Sequence, residues 1–446
     1  MEHPVRIERS GVSSAVIALV LLLIMAAGGL SAYFLISSNH GSGSTTSTTA
    51  PLSGGTTTAS SVFPSSSSTA ATTSISSTGG QTSTTSEAAS PYGSVVSTLI
   101  LYNNTLDPGL PDISTSSFSA NSSTISIFDM IYDPGNGYLY VSGLNSSAGL
   151  VDNGVVLAIN PSTDRVVAAI HVSNGDSPDQ LAYDSSNGYI YGASSSLDGS
   201  NITVIDANSN AMLPNISPYG SAAVPCGGGF YLGGASGIAY DSSANVVYAL
   251  YGCGDGVSLA TFNPASGGLS AGMTLPRYTV LGHMAYDSAN RLLYITSNVN
   301  SGIAHGNVTV VDPSTSQTIS AIPIGDPTES DTFAFDPTNS DLYVVCDSNI
   351  SVISTTTNTL ATTINLPQPT SATSPSLLVG ATFDSKNGLV YVTSGSAESI
   401  LVIDPATNTV AGTLVVNIPT YSISFDPSSG EVYVGDLGFG VVDVVS

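Results

Sequence analysis

Basic residues are almost missing from this chain. Lys and Arg total six against 31 Asp and Glu, for a formal net charge of −25 over 446 residues. Arg6 and Arg9 lie at the N-terminus, leaving only Arg165, Arg277, Arg291 and Lys386 beyond it. Neutralising nucleic-acid phosphates takes clustered Lys and Arg, so a nucleic-acid partner is excluded. Electrostatic attachment to anionic lipid fails for the same reason. Three cysteines are too few for a disulfide scaffold. Charged residues of either sign make up only 8%. Ser, Thr, Asn and Gly carry the polarity instead, a composition that suits an extracellular chain, including one facing acid.

What is present begins with an address. From Gly11 to Asn39 there is no charged residue, and "VSSAVIALVLLLIMAAGGLSAYFLI" (12–36) is long enough for a helix to cross a bilayer core. Arg6 and Arg9 precede it and no base follows for more than a hundred residues, so the N-terminus is expected inside and the rest outside. Residues 1–11 are thus a cytoplasmic N-terminus and 12–37 a single-pass anchor. A cleaved signal peptide is the second reading, with small residues near Ala26–Ser31. Residues 38–92 are almost entirely Ser, Thr, Gly and Ala. They cannot bury enough apolar surface to offset ordering entropy and are expected to form a disordered stalk, bare or O-glycosylated.

The remainder repeats itself. An aromatic-Asp pair recurs at Tyr132-Asp133, Tyr183-Asp184, Tyr240-Asp241, Tyr286-Asp287, Phe335-Asp336, Phe383-Asp384 and Phe425-Asp426. Each pair leads into a turn-forming cluster and then a β-branched and aromatic run such as "YLYVS" or "LVYVT". A variable loop follows, then two alternating runs such as "LVIDP" and "TVAGTLVV". Four short strands per unit, with no helical periodicity outside the anchor, predict an all-β seven-bladed β-propeller over 93–446. The seventh unit stops at Ser446 after three strands, while "SVVSTLILYNN" (94–104) matches an outer strand. The N-terminal strand is therefore expected to complete the last blade and close the ring.

"YVTSGSAESILVIDPATNTVAGTLVV" (391–416) resembles the YVTN-family β-propeller repeat. Tyr391-Val392-Thr393-Ser394 stands at the tetrad and Val402-Ile403-Asp404-Pro405 at the VID-P turn. The resemblance runs through all seven units and is weakest in the third, where "YALY" replaces the tetrad. It implies a propeller fold and the archaeal surface-layer or secreted setting in which the family is chiefly known. "RSGVSSAVIALVLLL" (9–23) is similar to the N-terminus of archaeal type IV pilins and archaellins, although Ser10 separates the base from Gly11. That likeness implies a helix assembled into a filament core.

Candidate sites are few. The repeated Asp residues sit at turn starts, where the side chain accepts backbone amides two residues on, and the same holds for Asp206, Asp312, Asp404, Asn160 and Asn263. Ligands of propellers usually bind at the face carrying the loops between blades and between second and third strands. There the chain places Asp152, Asp198, Asp255, Asp347, Glu398 and Asp436, at offsets too uneven for a fixed ring. These are loop-face binding candidates, joined by His283 and His305 of the fourth unit. No metal or other cofactor is called for, Ca²⁺ at the acidic loops being the one alternative. No spacing marks a catalytic residue. The absence of Trp removes sialidase-type Asp-boxes and tryptophan-docked quinoprotein blades, and no G-x-S-x-G occurs.

Cys226, between the second and third units, and Cys253, in the third, are expected on one face and are a disulfide candidate. Sequons at Asn103, Asn121, Asn145, Asn201, Asn215, Asn307 and Asn349 permit N-glycosylation. The sequence therefore points to a membrane-anchored module outside the cell that binds envelope proteins or glycans. A lactonase- or lyase-like propeller enzyme and a pilin-like filament subunit with a propeller head are the alternatives.

Overall fold

The computed structural model describes residues 92–101, 125–145, 154–172, 177–194, 201–216, 235–253, 256–264, 268–275, 282–297, 306–324, 333–346, 348–366, 378–395, 398–416, 418–438 and 440–446. Residues 84–446 make up one compact unit. The expected cytoplasmic N-terminus, anchor helix and stalk fall outside the described residues. Among the described residues no helix is long and apolar enough to cross a membrane.

The period-2 runs form 28 strands in seven four-stranded antiparallel sheets. Blade one runs outward through Ile125–Asp133, Tyr138–Asn145, Gly154–Asn160 and Arg165–His171. The inner strands of blades two to seven are Gln180–Asp184, Ala235–Asp241, Met284–Asp287, Phe333–Asp336, Leu378–Asp384 and Ser422–Asp426. Each inner strand touches the inner strand of the blade on either side, which makes the ring.

The last blade takes its outer strand from the other end of the chain, as its unfinished sequence predicts. Val95–Ile100 pairs antiparallel with Val441–Val445, and the hydroxyl of Thr98 donates to the Asp443 carboxylate at 2.5 Å. Residues some 345 positions apart thus share one sheet, and closure leaves no blade open toward a missing neighbour.

The core is divided in the same way. Seven hydrophobic clusters each lie between two adjacent blades, so neither blade of a pair buries its face alone. Second and third strands are buried on both faces and read as continuous apolar runs, for example "LYVV" over Leu342–Val345 and "VTVV" over Val308–Val311. Fully burying each such Val or Leu is worth about 1.5–3 kcal/mol. The outer strands are half-exposed. Every pairing of a third with an outer strand carries a register shift, as at Val402/Ile403 in blade six. Such bulges bend an edge strand away from flat pairing with another chain, which matters for edges with so little charge.

The two faces of the ring differ. All thirteen turns joining first to second and third to outer strands contain four residues. The fourteen connections on the opposite face range from two residues (254–255) to 24 (101–124). The four-residue turns share one geometry: their last residue has positive φ in every described case, as at Gly137, Asn210, Arg291, Ser340 and Asn408.

Candidate functional site

The repeated residues form the constant face. In all seven blades the Asp of the aromatic-Asp pair accepts the backbone N–H two residues on, at 2.6–2.9 Å, from Gly135 in blade one to Ser428 in blade seven. The residues at the third-to-outer turns behave alike: Asn160, Asp206, Asp312 and Asp404 accept from Ser162, Asn208, Ser314 and Ala406. Turn closure therefore accounts for these carboxylates, as the sequence reading expects.

The aromatic partner of each Asp has its own role between blades. The Tyr183 hydroxyl lies beside Asp133 of blade one, Tyr240 beside Asp184 of blade two, and Tyr286 beside Asp241 of blade three. Tyr132 closes the circle beside Asp426 of blade seven, where it donates to Ser428 Oγ at 3.1 Å. Burial first, and these carboxylates second, raise Tyr183 and Tyr240 above the usual phenol range and push Tyr286 up to about 12. Tyr286 falls short of hydrogen-bond geometry toward Asp241, so its influence there is electrostatic. Blades five to seven carry Phe at this position, and the buried Asp287 Oδ2 of blade four, which faces blade five, meets no hydrogen-bond donor.

A second latch points the opposite way around the ring. The buried second-strand Tyr of one blade donates to the third-to-outer turn of the next: Tyr140 to Asn210 at 2.6 Å, Tyr294 to Asn358 at 2.6 Å and Tyr343 to Asn408 at 2.8 Å. The Tyr that begins the YVTN-like tetrad is thus a ring-assembly residue.

The opposite face holds the variable connections and, at its centre, an axial cavity of about 530 Å³ lined by residues of all seven inner strands or the residues just before them. Its polar side chains include Asp129, Asp179, Gln180, His283, Thr382 and Ser424, and Phe128, Phe333 and Tyr421 contribute aromatic surface. No Lys or Arg lines it.

Two of these side chains tie blades together around the axis. Asp129 of blade one accepts from the Met130 amide at 2.8 Å and from the Leu181 amide of blade two at 2.7 Å. Gln180 of blade two reaches two blades on. Its Nε2 donates to the Met284 carbonyl at 3.0 Å, and its Oε1 accepts from Ile238 of blade three at 2.9 Å and Met284 of blade four at 3.3 Å. The surface Asp129 retains faces the cavity rather than open water. Burial therefore raises its pKa to about 7, against the lowering effect of the Leu181 and Met130 amides and with a small push from Asp179.

The sequence placed candidates on the loops, and the structure puts the polar cluster at the starts of the inner strands. Asp152, Asp198, Asp255, Asp347 and His305 lie outside the described residues. Glu398 is exposed, and only its carbonyl is engaged, by the Val416 amide at 3.0 Å. Asp436 is fully buried, with its carboxylate turned onto its own loop by the Gly438 amide at 3.0 Å and the Val441 amide at 2.7 Å. His283 lines the axial cavity, anchored through its backbone amide to Thr296 Oγ1 at 3.1 Å. Among the described residues no group of three or more His, Cys, Asp or Glu could hold a metal ion.

Asp129 and Gln180 were missed, yet they left a signal. Both sit four residues before the repeated Asp of their blades, and His283 and Ser422 occupy the same position in blades four and seven. A polar residue recurring at one register of an otherwise apolar strand marks the channel wall.

Cys226 and the side chain of Cys253 are outside the described residues, and so is their proposed pairing. Cys346 is buried, with its thiol 3.8 Å from the Val344 carbonyl and 3.9 Å from Ser351 Oγ. Of the sequons, Asn103, Asn121 and the Asn145 side chain are not described. Asn201, Asn215, Asn307 and Asn349 are half-buried, and the Oδ1 of Asn349 is enclosed.

No family model and no curated protein matches this chain. Solved structures do. A chain titled Kuenenia stuttgartiensis hydrazine synthase superposes with a TM-score of 0.57 at 11% identity, over 73% of this chain and 96% of its own. The WD40 repeats of RRP9 superpose with a TM-score of 0.56 at 11% identity, over 79% of this chain and 98% of theirs. At that identity the likeness establishes the fold alone, and the fold is a seven-bladed β-propeller.

Proposed function

We propose that the chain is a membrane-anchored propeller displayed outside the cell, which docks other envelope proteins or glycans through its variable face. The observation that carries this reading is the asymmetry of the ring. Thirteen connections on one face are all four residues long and committed to turn closure, while the fourteen on the other vary from two to 24. A rigid scaffold holding unlike loops on one side is how folds of this kind present recognition surfaces, and propellers such as WD40 repeats serve widely as interaction scaffolds. The YVTN-like tetrads, the charge-free stretch after Arg9 and the Ser/Thr-rich segment support a surface-layer component or adhesin, glycosylated on its stalk or sequons.

The test is cross-linking of the full chain on intact cells with a reagent that does not cross membranes. The expected result is a defined set of envelope partners, lost when the long connections at 102–124 and 217–234 are replaced by short Gly/Ser linkers. Failure of external protease to reach the propeller on intact cells would overturn the location. Partners that survive loop replacement would overturn the assignment of the face. No specific observation favours the enzyme or filament alternatives over this reading.

A further inference from the structure

We propose that the axial cavity is a binding site for a small organic cation carrying an ammonium group, separate from any docking on the loops. At about 530 Å³ the cavity is of the size that holds small molecules, commonly about 300–1,000 Å³. It is lined by all seven blades and cross-braced by Gln180 from blade two to blade four, so its shape comes with ring closure.

The lining selects by charge. Asp129 and Asp179 contribute carboxylates and no Lys or Arg offsets them, so an anion is repelled and a neutral ligand leaves the charge uncompensated. Asp129 is held in one orientation by the Met130 and Leu181 amides. These fill two of its roughly four lone-pair positions and leave acceptor capacity for an ammonium N–H. Phe128, Phe333 and Tyr421 add aromatic surface of the kind that cations favour. A bare metal ion fits less well, because no group of three ligating side chains is found among the described residues. The chain's charge of −25 would further concentrate cations at the ring.

The test is calorimetric titration of the full-length protein in detergent with putrescine, glucosamine and tetramethylammonium chlorides, with glucose and CaCl₂ in parallel. The expected result is saturable binding of one molecule per chain by at least one of the three ammonium compounds. Asp129→Asn should weaken it at least tenfold. Because that change also disturbs a blade tie, Thr382→Lys is the second variant. It brings a tethered ammonium to the cavity while leaving both Asp129 hydrogen bonds in place, and it should abolish binding with the thermal transition kept. The proposal is overturned by absence of saturable binding up to about 10 mM, by binding that survives Thr382→Lys, by glucose binding as well as glucosamine, or by Ca²⁺ binding in place of the ammonium compounds. The loop-face reading is probed separately by the cross-linking experiment, so either idea can fail alone.

Discussion

The Tyr391 hydroxyl donates to the Tyr92 carbonyl at 3.2 Å, across 299 positions of sequence. In blades one, four and five the equivalent Tyr reaches the third-to-outer turn of the next blade. Blade seven has no such turn, because its outer strand comes from the other end of the chain. The carbonyl just before that strand supplies the missing acceptor. Gly412 makes this approach available: a Cβ there would collide with the Tyr92 ring.

Shortening the chain tests that closure. A protein beginning after residue 101 lacks the buried Leu99 and Leu101 and exposes the uncharged edge of Val441–Val445. Compared with one beginning at residue 92, it should lose more than about 3 kcal/mol of stability from the two leucines alone. It should also associate through the bare edge. Thermal unfolding and size-exclusion chromatography read both effects, and an unchanged transition temperature would refute the role given to the N-terminal strand.

The vacancy beside Asp287 can be filled. Its Oδ2 is buried with no hydrogen-bond partner, and the facing blade offers Phe335 where blades one to four have Tyr. Phe335→Tyr should place a hydroxyl against that oxygen and stabilise the ring by about 0.5–1.5 kcal/mol. Tyr183→Phe should cost a similar amount by removing the corresponding hydroxyl from Asp133. If both changes shift chemical denaturation in the same direction, the Tyr–Asp latch is not what the aromatic position provides.

The blade count and the closing strand were legible because both rest on local signals: alternation of period two, turn residues at fixed places, and a final unit one strand short. The repeated Asp residues were legible as turn closers because the amide that each binds is two positions away. The latches were not. Tyr183 and Asp133 are fifty residues apart, and only packing of one blade on the next reveals that each tyrosine answers the acid of its predecessor. The cavity was hidden for a related reason, since Asp129, Gln180 and His283 look like scattered polar exceptions until seven inner strands are set around one axis. Attention went to the acids of the loops, and one of them, Asp436, is spent on its own loop.

The turns predict a pair of opposite effects. Gly388 and Ser340 end equivalent four-residue turns with φ of 75° and 62°. A left-handed backbone costs an L-residue with a Cβ roughly 1–2 kcal/mol, and glycine escapes it. A Cβ at Gly388 would touch nothing within 4 Å, so Gly388→Ala isolates the backbone cost and should destabilise by about 1 kcal/mol. Ser340→Gly should stabilise by a little less, because glycine also gains freedom in the unfolded chain. Equal effects of one sign, measured by urea unfolding, would contradict the shared geometry.

Asp129 should give the protein an unusual pH dependence. Its pKa is near 7 in the folded protein, raised mainly by burial, against an ordinary value of 3.8. Between those values the folded protein holds a proton that the unfolded chain has released, so stability falls as pH rises from about 4 to about 7 and levels off above. Three units would correspond to about 4 kcal/mol at full strength, and the share of Asp129 that faces the cavity reduces this to about 1–3 kcal/mol. Asp241 and Asp426 act in the opposite sense at lower pH. Burial opposes their ionisation, but hydrogen bonds led by those from Ser243 and Ser428 hold both below the usual carboxylate range. Their contribution is present above about pH 4 and is lost as pH falls through their folded values. Denaturant unfolding across pH 3–9 should therefore show a maximum near pH 4–5 and a decline toward neutrality. Asp129→Asn should flatten the decline and leave the acid limb intact. A decline that persists in that variant would place the responsible group elsewhere in the ring.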